Sequence, residues 1–204
     1  MTRAAGMVAT GDDVGRVVRV LLVSGSLRSG STNTAALLTA RAVAPPGIDS
    51  ELWAGMGQLP HFNPDDDVAG AAAGGRLDPA VVALREAVGR ADAVLFSTPE
   101  YAGELPGSFK NLLDWTVGGG EIYQKPVGWV NVSGSPTGAA GAYRALRTVL
   151  GYVGAHVVEA ACVHLPVARA DVGPDGLVDR PVVRQGLAAV LSTLAAPGAA
   201  GTPA

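Results

Sequence analysis

A hydrophobic run, Val17 to Val23, ends in Gly25-Ser26-Leu27-Arg28-Ser29-Gly30-Ser31-Thr32-Asn33 and passes into an Ala/Leu-rich segment starting near Thr34. A strand that ends in a Gly/Ser/Thr turn and leads into a helix aims backbone amides and hydroxyls at one point. There the macrodipole and the unpaired first-turn amides favour an anion. Arg28 adds a fork of donors suited to phosphate oxygens, and Ser26, Ser31, Thr32 and Asn33 add further polar groups. The segment reads as a phosphate cradle. It lacks the Gly-Lys-Ser/Thr of a Walker loop and the Gly-x-Gly-x-x-Gly of a dinucleotide fingerprint. On this loop alone a plainer reading stays open, in which Ser31, Thr32 and Asn33 only cap the helix and Arg28 is solvated.

The position of the loop favours the cradle, because ligands of open parallel sheets lie at the carboxyl ends of strands. The rest of the chain has the matching rhythm. Strands are expected at Val17 to Val23, Ile48 to Leu52, Ala93 to Ser97, Val127 to Val132 and His156 to Val163. Helices are expected at Thr34 to Val43, Pro79 to Arg90, Ser108 to Trp115, Ala140 to Gly154 and Pro181 to Leu194. Continuous apolar strands alternating with helices predict an α/β domain over residues 16–195, a five-stranded parallel sheet of order 2-1-3-4-5 with helices on both faces. Residues 1–15, which mix Gly, Asp and small residues, and residues 196–204, rich in Pro, Gly and Ala, lack periodicity and are expected to be disordered tails.

Several function classes are disfavoured. The 204 residues are 48% hydrophobic with a net charge of -3, a balance that suits one well-buried domain and offers no basic face for nucleic acid. No apolar run is long enough to cross a bilayer, and no charged start with an apolar core marks a signal peptide, so a cytoplasmic protein without a membrane partner is expected. Cys162, the one cysteine, lies in an apolar run and reads as core. His61, His156 and His164 have no ligand spacing, and Asp65-Asp66-Asp67 reads as a solvated turn, so no metal site is expected.

A second loop follows the Ala93 to Ser97 strand: Thr98-Pro99-Glu100-Tyr101-Ala102-Gly103-Glu104-Leu105-Pro106-Gly107-Ser108-Phe109-Lys110-Asn111-Leu112-Leu113-Asp114-Trp115. The Gly-Ser-x-Arg-x-x-Ser-x-Asn and Pro-Glu-Tyr-x-x-x-x-Pro-Gly-x-x-Lys-Asn-x-x-Asp-Trp patterns, in this order, resemble the NADPH-dependent FMN reductase family. That family includes quinone, chromate and azo-dye reductases on a flavodoxin-like fold. The resemblance runs from about Val18 to about Val163.

The resemblance implies FMN as cofactor, NAD(P)H as electron donor and a small-molecule electron acceptor. It places the phosphate at Ser26, Arg28, Ser31, Thr32 and Asn33, and the flavin ring at Pro99, Glu100, Tyr101, Ala102 and Gly103. Backbone amides suit the pyrimidine edge of the ring, with Glu100 acting through its backbone and Tyr101 either packing on the ring or anchoring the turn. Ala102 departs from the pattern, since Asn often follows the Tyr. In Asn131-Val132-Ser133-Gly134-Ser135-Pro136-Thr137-Gly138 a third strand end offers Ser133, Gly134 and Ser135, ordinary turn residues that relatives place against the same edge. No catalytic side chain is demanded, because the flavin carries the chemistry.

Two further roles stay open at this stage: a flavodoxin-like electron carrier, and a supplier of reduced flavin to a monooxygenase. A homo-oligomer, dimer or tetramer, is also expected. The long Trp53 to Asp78 connection and the Gly118-Gly119-Gly120-Glu121-Ile122-Tyr123 segment could wall a neighbour's flavin, and similar Leu-Pro-x-Phe-Asn-x-Asp stretches occur in the family beside the flavin and subunit interface.

Overall fold

The computed structural model describes residues 16–67, 76–197 and 199. The expectations for residues 1–15, for the small-residue stretch Ala69 to Gly75 and for most of the C-terminal tail lie outside the described residues. The element order is β1 (Val18–Ser24), α1 (Thr32–Ala42), β2 (Ile48–Trp53), α2 (Pro79–Arg90), β3 (Ala93–Ser97), α3 (Gly107–Asp114), β4 (Pro126–Asn131), α4 (Ala140–Tyr152), β5 (His156–His164) and α5 (Pro181–Ala195). All strand pairs are parallel and their order is 2-1-3-4-5, as the alternation of runs predicts.

Alternation along each strand divides the core. Val20 and Leu22 of β1, with Ala93 and Leu95 of β3, pack against Leu37 of α1 and Val183, Leu187 and Leu191 of α5. Leu21 and Val23, with Val94 and Phe96, meet Leu84 of α2, Phe109 and Leu113 of α3, and Leu146 and Leu150 of α4. Two apolar faces on one sheet leave the strand ends as the place where backbone polar groups can meet a ligand.

Local chemistry sets the helix starts. Ser31, in extended geometry, accepts the Thr34 amide on its side chain, so α1 begins at Thr32 and not near Thr34 as expected. Of three adjacent residues able to cap, the first takes the role, and Thr32 and Asn33 enter the first turn. Asp78 caps α2, its Oδ1 accepting from Ala80 N at 2.8 Å ahead of Pro79.

β5 is not the regular strand expected. Between Val127↔Val157 and Trp129↔Cys162 it advances five residues while β4 advances two. A β-carbon on Gly128 would lie 2.7 Å from the Ala161 carbonyl oxygen, so the bulged strand presses on a residue without a side chain.

The long connection after β2 is tied down by the third helix. Asn111 Oδ1 accepts from Phe62 N at 2.7 Å, while Asn111 Nδ2 and Trp115 Nε1 both donate to Pro60 O at 2.9 Å. Asn111 thus braces the connection, and Lys110 pairs with Asp114 on the helix surface. The solvated reading of the three aspartates is corrected at Asp67. Its carboxylate is buried against Arg85 at 2.6 Å, and Arg85 also donates to Trp115 O. No described helix is long and apolar enough to cross a membrane.

Candidate functional site

Three loops meet where β1, β3 and β4 end. The first is stitched to β3 by Gly25 N, which donates to Ser97 O at 2.8 Å. Gly25 has no room for a side chain: a β-carbon there would sit 2.2 Å from Thr98 Oγ1 and 2.9 Å from Phe109 Cδ1. Ser97 Oγ lies 2.9 Å from Asn33 Oδ1 and 2.8 Å from Val130 O, sharing its one proton between them. Asn33 is therefore held by its carbonyl oxygen and leaves its amide N–H groups to the cleft that it lines.

The first loop turns through Gly30, whose φ of +66° is the left-handed region that favours glycine. Among the described residues, the amides of Ser29, Gly30, Ser31, Thr32 and Asn33 have no protein acceptor, five consecutive donors at the mouth of an 11-residue helix. Ser26 Oγ accepts from Arg28 N at 3.3 Å and Ser31 Oγ from Thr34 N at 3.5 Å, so both hydroxyl protons remain free to donate outward. Arg28 is exposed and forms no ion pair among the described residues. This donor set fits a phosphate monoester.

The second loop is a tight turn. Tyr101 N donates to Glu104 O at 3.0 Å and Glu104 N to Tyr101 O at 3.1 Å, with Ala102 at φ 53° and Gly103 at φ 80°. The Tyr101 amide, expected to face the ring, is spent inside this turn. The amides of Glu100, Ala102 and Gly103 have no acceptor among the described residues. Tyr101 itself is 50% exposed on the rim. The Glu100 carboxylate turns away and accepts from Ala142 N at 3.1 Å, capping α4, whose own N-cap residue Ala139 has no side-chain acceptor.

The third loop is held from both flanks. Asn131 Oδ1 accepts from Ser133 N at 3.0 Å and Asn131 Nδ2 donates to Gly138 O at 2.9 Å. Ser133 Oγ donates to Gly138 O at 2.8 Å, so its hydroxyl proton is used within the loop. His164 Nε2 lies 2.8 Å from Ser133 O, tying the loop to β5. Ser135 is exposed and accepts from Thr137 N at 3.4 Å, while Gly134 leaves its backbone uncovered.

Tyr143 joins the loops at their base. Its hydroxyl donates to Val130 O at 2.7 Å and accepts from Thr98 N at 3.2 Å, and burial pushes its pKa up to about 12. Arg147 pairs with Glu159 and lies over the Trp129 ring at 5.0 Å, a structural role. Burial lifts the Cys162 thiol to about 11, consistent with a packed thiol and not a nucleophile.

Thr32, Asn33, Pro99, Glu100, Ser133 and Gly134 together line one cleft of about 420 Å³, and Ser26, Arg28, Ser31, Tyr101, Ala102, Gly103 and Ser135 sit on the same loops outside its lining. Sequence reasoning missed Ser97, Asn131 and His164 as residues that position it. Only the Asn131-x-Ser133 spacing, able to form an Asx turn, carried a signal. A larger cavity, about 980 Å³, lies against α2 near Pro60 and Asp66. It shares no lining residue with that cleft.

Fold and site together define a flavodoxin-like protein whose strand-end loops present a donor set that fits a phosphorylated ligand. Residues 18–170 match the model of the NADPH-dependent FMN reductase family, and the chain belongs to it. Among its relatives, an NAD(P)H-dependent FMN reductase of Pseudomonas aeruginosa is 39% identical over 141 residues, 68% of this chain and 72% of that protein. An NADPH:quinone oxidoreductase of Arabidopsis thaliana is 31% identical over 148 residues, 70% of this chain and 71% of that protein. The solved structure of the flavoenzyme NAD(P)H:(acceptor) oxidoreductase FerB of Paracoccus denitrificans superposes with a TM-score of 0.68 at 27% identity, covering 88% of this chain and 98% of that one. Membership makes this chain an oxidoreductase with FMN as cofactor and NAD(P)H as electron donor.

Proposed function

We propose that the chain holds FMN across the three loops and passes electrons from NAD(P)H to a small acceptor of the quinone type. The observation that carries this reading is the run of five amides, Ser29 to Asn33, without an acceptor among the described residues, beside an Arg28 that has no ion-pair partner among them. When bound, FMN would supply the chemistry of accepting a hydride from NAD(P)H and of giving two electrons, with two protons (one from the hydride, one from solvent), to a quinone-type acceptor.

The chain's own part is to bind, orient and leave access. Arg28, the amides of Ser29 to Asn33 and the hydroxyls of Ser26, Ser31 and Thr32 would hold the phosphate. Asn33 Nδ2, the amides of Glu100, Ala102 and Gly103, and those of Gly134 and Ser135 would serve the polar edge of the ring. Pro99 stiffens the approach, and Tyr101 stands on the rim. Quinone as the acceptor is supported by the names of the plant relatives. The cytoplasm, where NAD(P)H is regenerated, is the compartment this reading assigns.

We assign the active form to a homo-oligomer, dimer or tetramer. Exposed Val117, Tyr123 and Tyr101 are large apolar side chains that a second copy would cover. Steady-state oxidation of NADPH with a soluble quinone tests the proposal. Parallel double-reciprocal lines are expected for alternate use of one cleft, and absence of quinone-dependent turnover would refute it.

A further inference from the structure

The connection from β5 to α5 carries a charged residue to the first loop. Val167 N donates to Val132 O at 3.1 Å, and Val178 N donates to Thr39 Oγ1 of α1 at 2.8 Å, so both ends of the connection are fixed to the elements that frame the cleft. Between them, Arg169 Nη2 lies 3.5 Å from the place that a β-carbon on Gly30 would occupy. Arg169 forms no ion pair among the described residues. The nearest carboxylate along the chain, Asp171, is committed to Arg180 and to Ala168 N. Arg169 is exposed, as is Arg28, and beside the left-handed turn neither has an ion-pair partner among the described residues.

A phosphate monoester carries nearly two negative charges at neutral pH, more than one guanidinium offsets. We infer that Arg169 is a second cation of the phosphate cradle, acting with Arg28 on the FMN phosphate. The inference rests on the reading of the cleft as the FMN site. The other phosphate monoester able to reach such a cation is the 2′-phosphate of NADPH, and the experiment separates the two.

Apoprotein is titrated with FMN and with riboflavin, following flavin fluorescence, for wild type, Arg169→Ala and Arg169→Lys. We expect Arg169→Ala to weaken FMN about tenfold, Arg169→Lys to recover part of the loss, and riboflavin to bind all three equally. Thermal melts of the apo forms should coincide, because the side chain is exposed. Wild-type protein that bound FMN no better than riboflavin would overturn the phosphate cradle and this inference together. FMN affinity unchanged in Arg169→Ala would overturn this inference alone. An unchanged FMN affinity with a lost preference for NADPH over NADH would contradict it by assigning the cation to the nucleotide.

Discussion

Glu100 Oε2 accepts a hydrogen bond from Ala142 N at 3.1 Å, so the loop after β3 supplies the cap that α4 lacks. The contact is close on every side, since a β-carbon on Gly141 would lie 2.9 Å from this carboxylate and 2.0 Å from Gly103 O. A negative group at a helix N-terminus also meets the positive end of the macrodipole. Glu100→Ala should destabilise the fold by about 1 kcal/mol and Glu100→Gln by less than half of that. Urea midpoints at constant slope measure it, and equal midpoints for all three proteins would show that the cap contributes nothing.

Tyr143 bonds to Val130 O and to Thr98 N, one hydroxyl joining the ends of two strands. Tyr143→Phe leaves the Thr98 amide without its acceptor, at a cost of about 1–3 kcal/mol. The hydroxyl also predicts a pH dependence. Burial raises its pKa from 10.0 to about 12, so the folded state holds the proton more tightly than the unfolded chain does. The stabilisation is complete below pH 10.0 and is lost as pH rises from there towards 12. The difference in unfolding free energy between wild type and Tyr143→Phe should therefore shrink by up to about 1.4 kcal/mol per pH unit in that window. A difference that stays constant up to pH 12 would contradict the assignment.

Ala102 occupies the left-handed region, φ 53°, at the first corner of the Tyr101 to Glu104 turn. Asn tolerates this region several-fold better than Ala, worth roughly 0.5–1 kcal/mol. Ala102→Asn should raise the melting temperature by about 1–3 °C. A β-branched residue, as in Ala102→Val, should lower it. Scanning calorimetry of the pair decides, and a lower melting temperature for the Asn variant would show that the turn is governed by other contacts.

How far the sequence anticipates this molecule depends on whether a feature is local. The first loop is legible because strand, Gly/Ser/Thr turn and helix are contiguous, and the order of apolar runs carries the sheet topology. Three adjacent cap-forming residues, Ser31 to Asn33, do not by themselves say which one caps, so the helix start shifts by two residues. The bulge in β5 depends on Ala161 meeting Gly128 of another strand, and the burial of Asp67 depends on Arg85 of α2. The hydroxyl of Ser133 looks available in the sequence, yet the loop that carries it folds back and takes the proton at Gly138 O. These are tertiary facts without a local pattern.

Arg28 is exposed and, among the described residues, has no ion-pair partner and lies beside five amides without an acceptor, the arrangement expected of a residue that forks onto a phosphate. Arg28→Ala should weaken FMN roughly 10- to 100-fold while riboflavin, which lacks the phosphate, binds wild type and variant alike. Fluorescence titration with the two flavins reads the contrast. An equal loss for both would indicate general damage to the loop, and no loss for either would remove Arg28 from the site.

Anaerobic rapid mixing of the FMN-loaded protein with NADPH and, separately, with NADH shows whether NAD(P)H reduces FMN held by this chain. Absorbance near ~450 nm, the band of the oxidised flavin, follows the reaction. We expect bleaching within a few seconds with at least one nucleotide and full recovery of the band on adding a quinone. A flavin that stays oxidised with both nucleotides would contradict the proposed function.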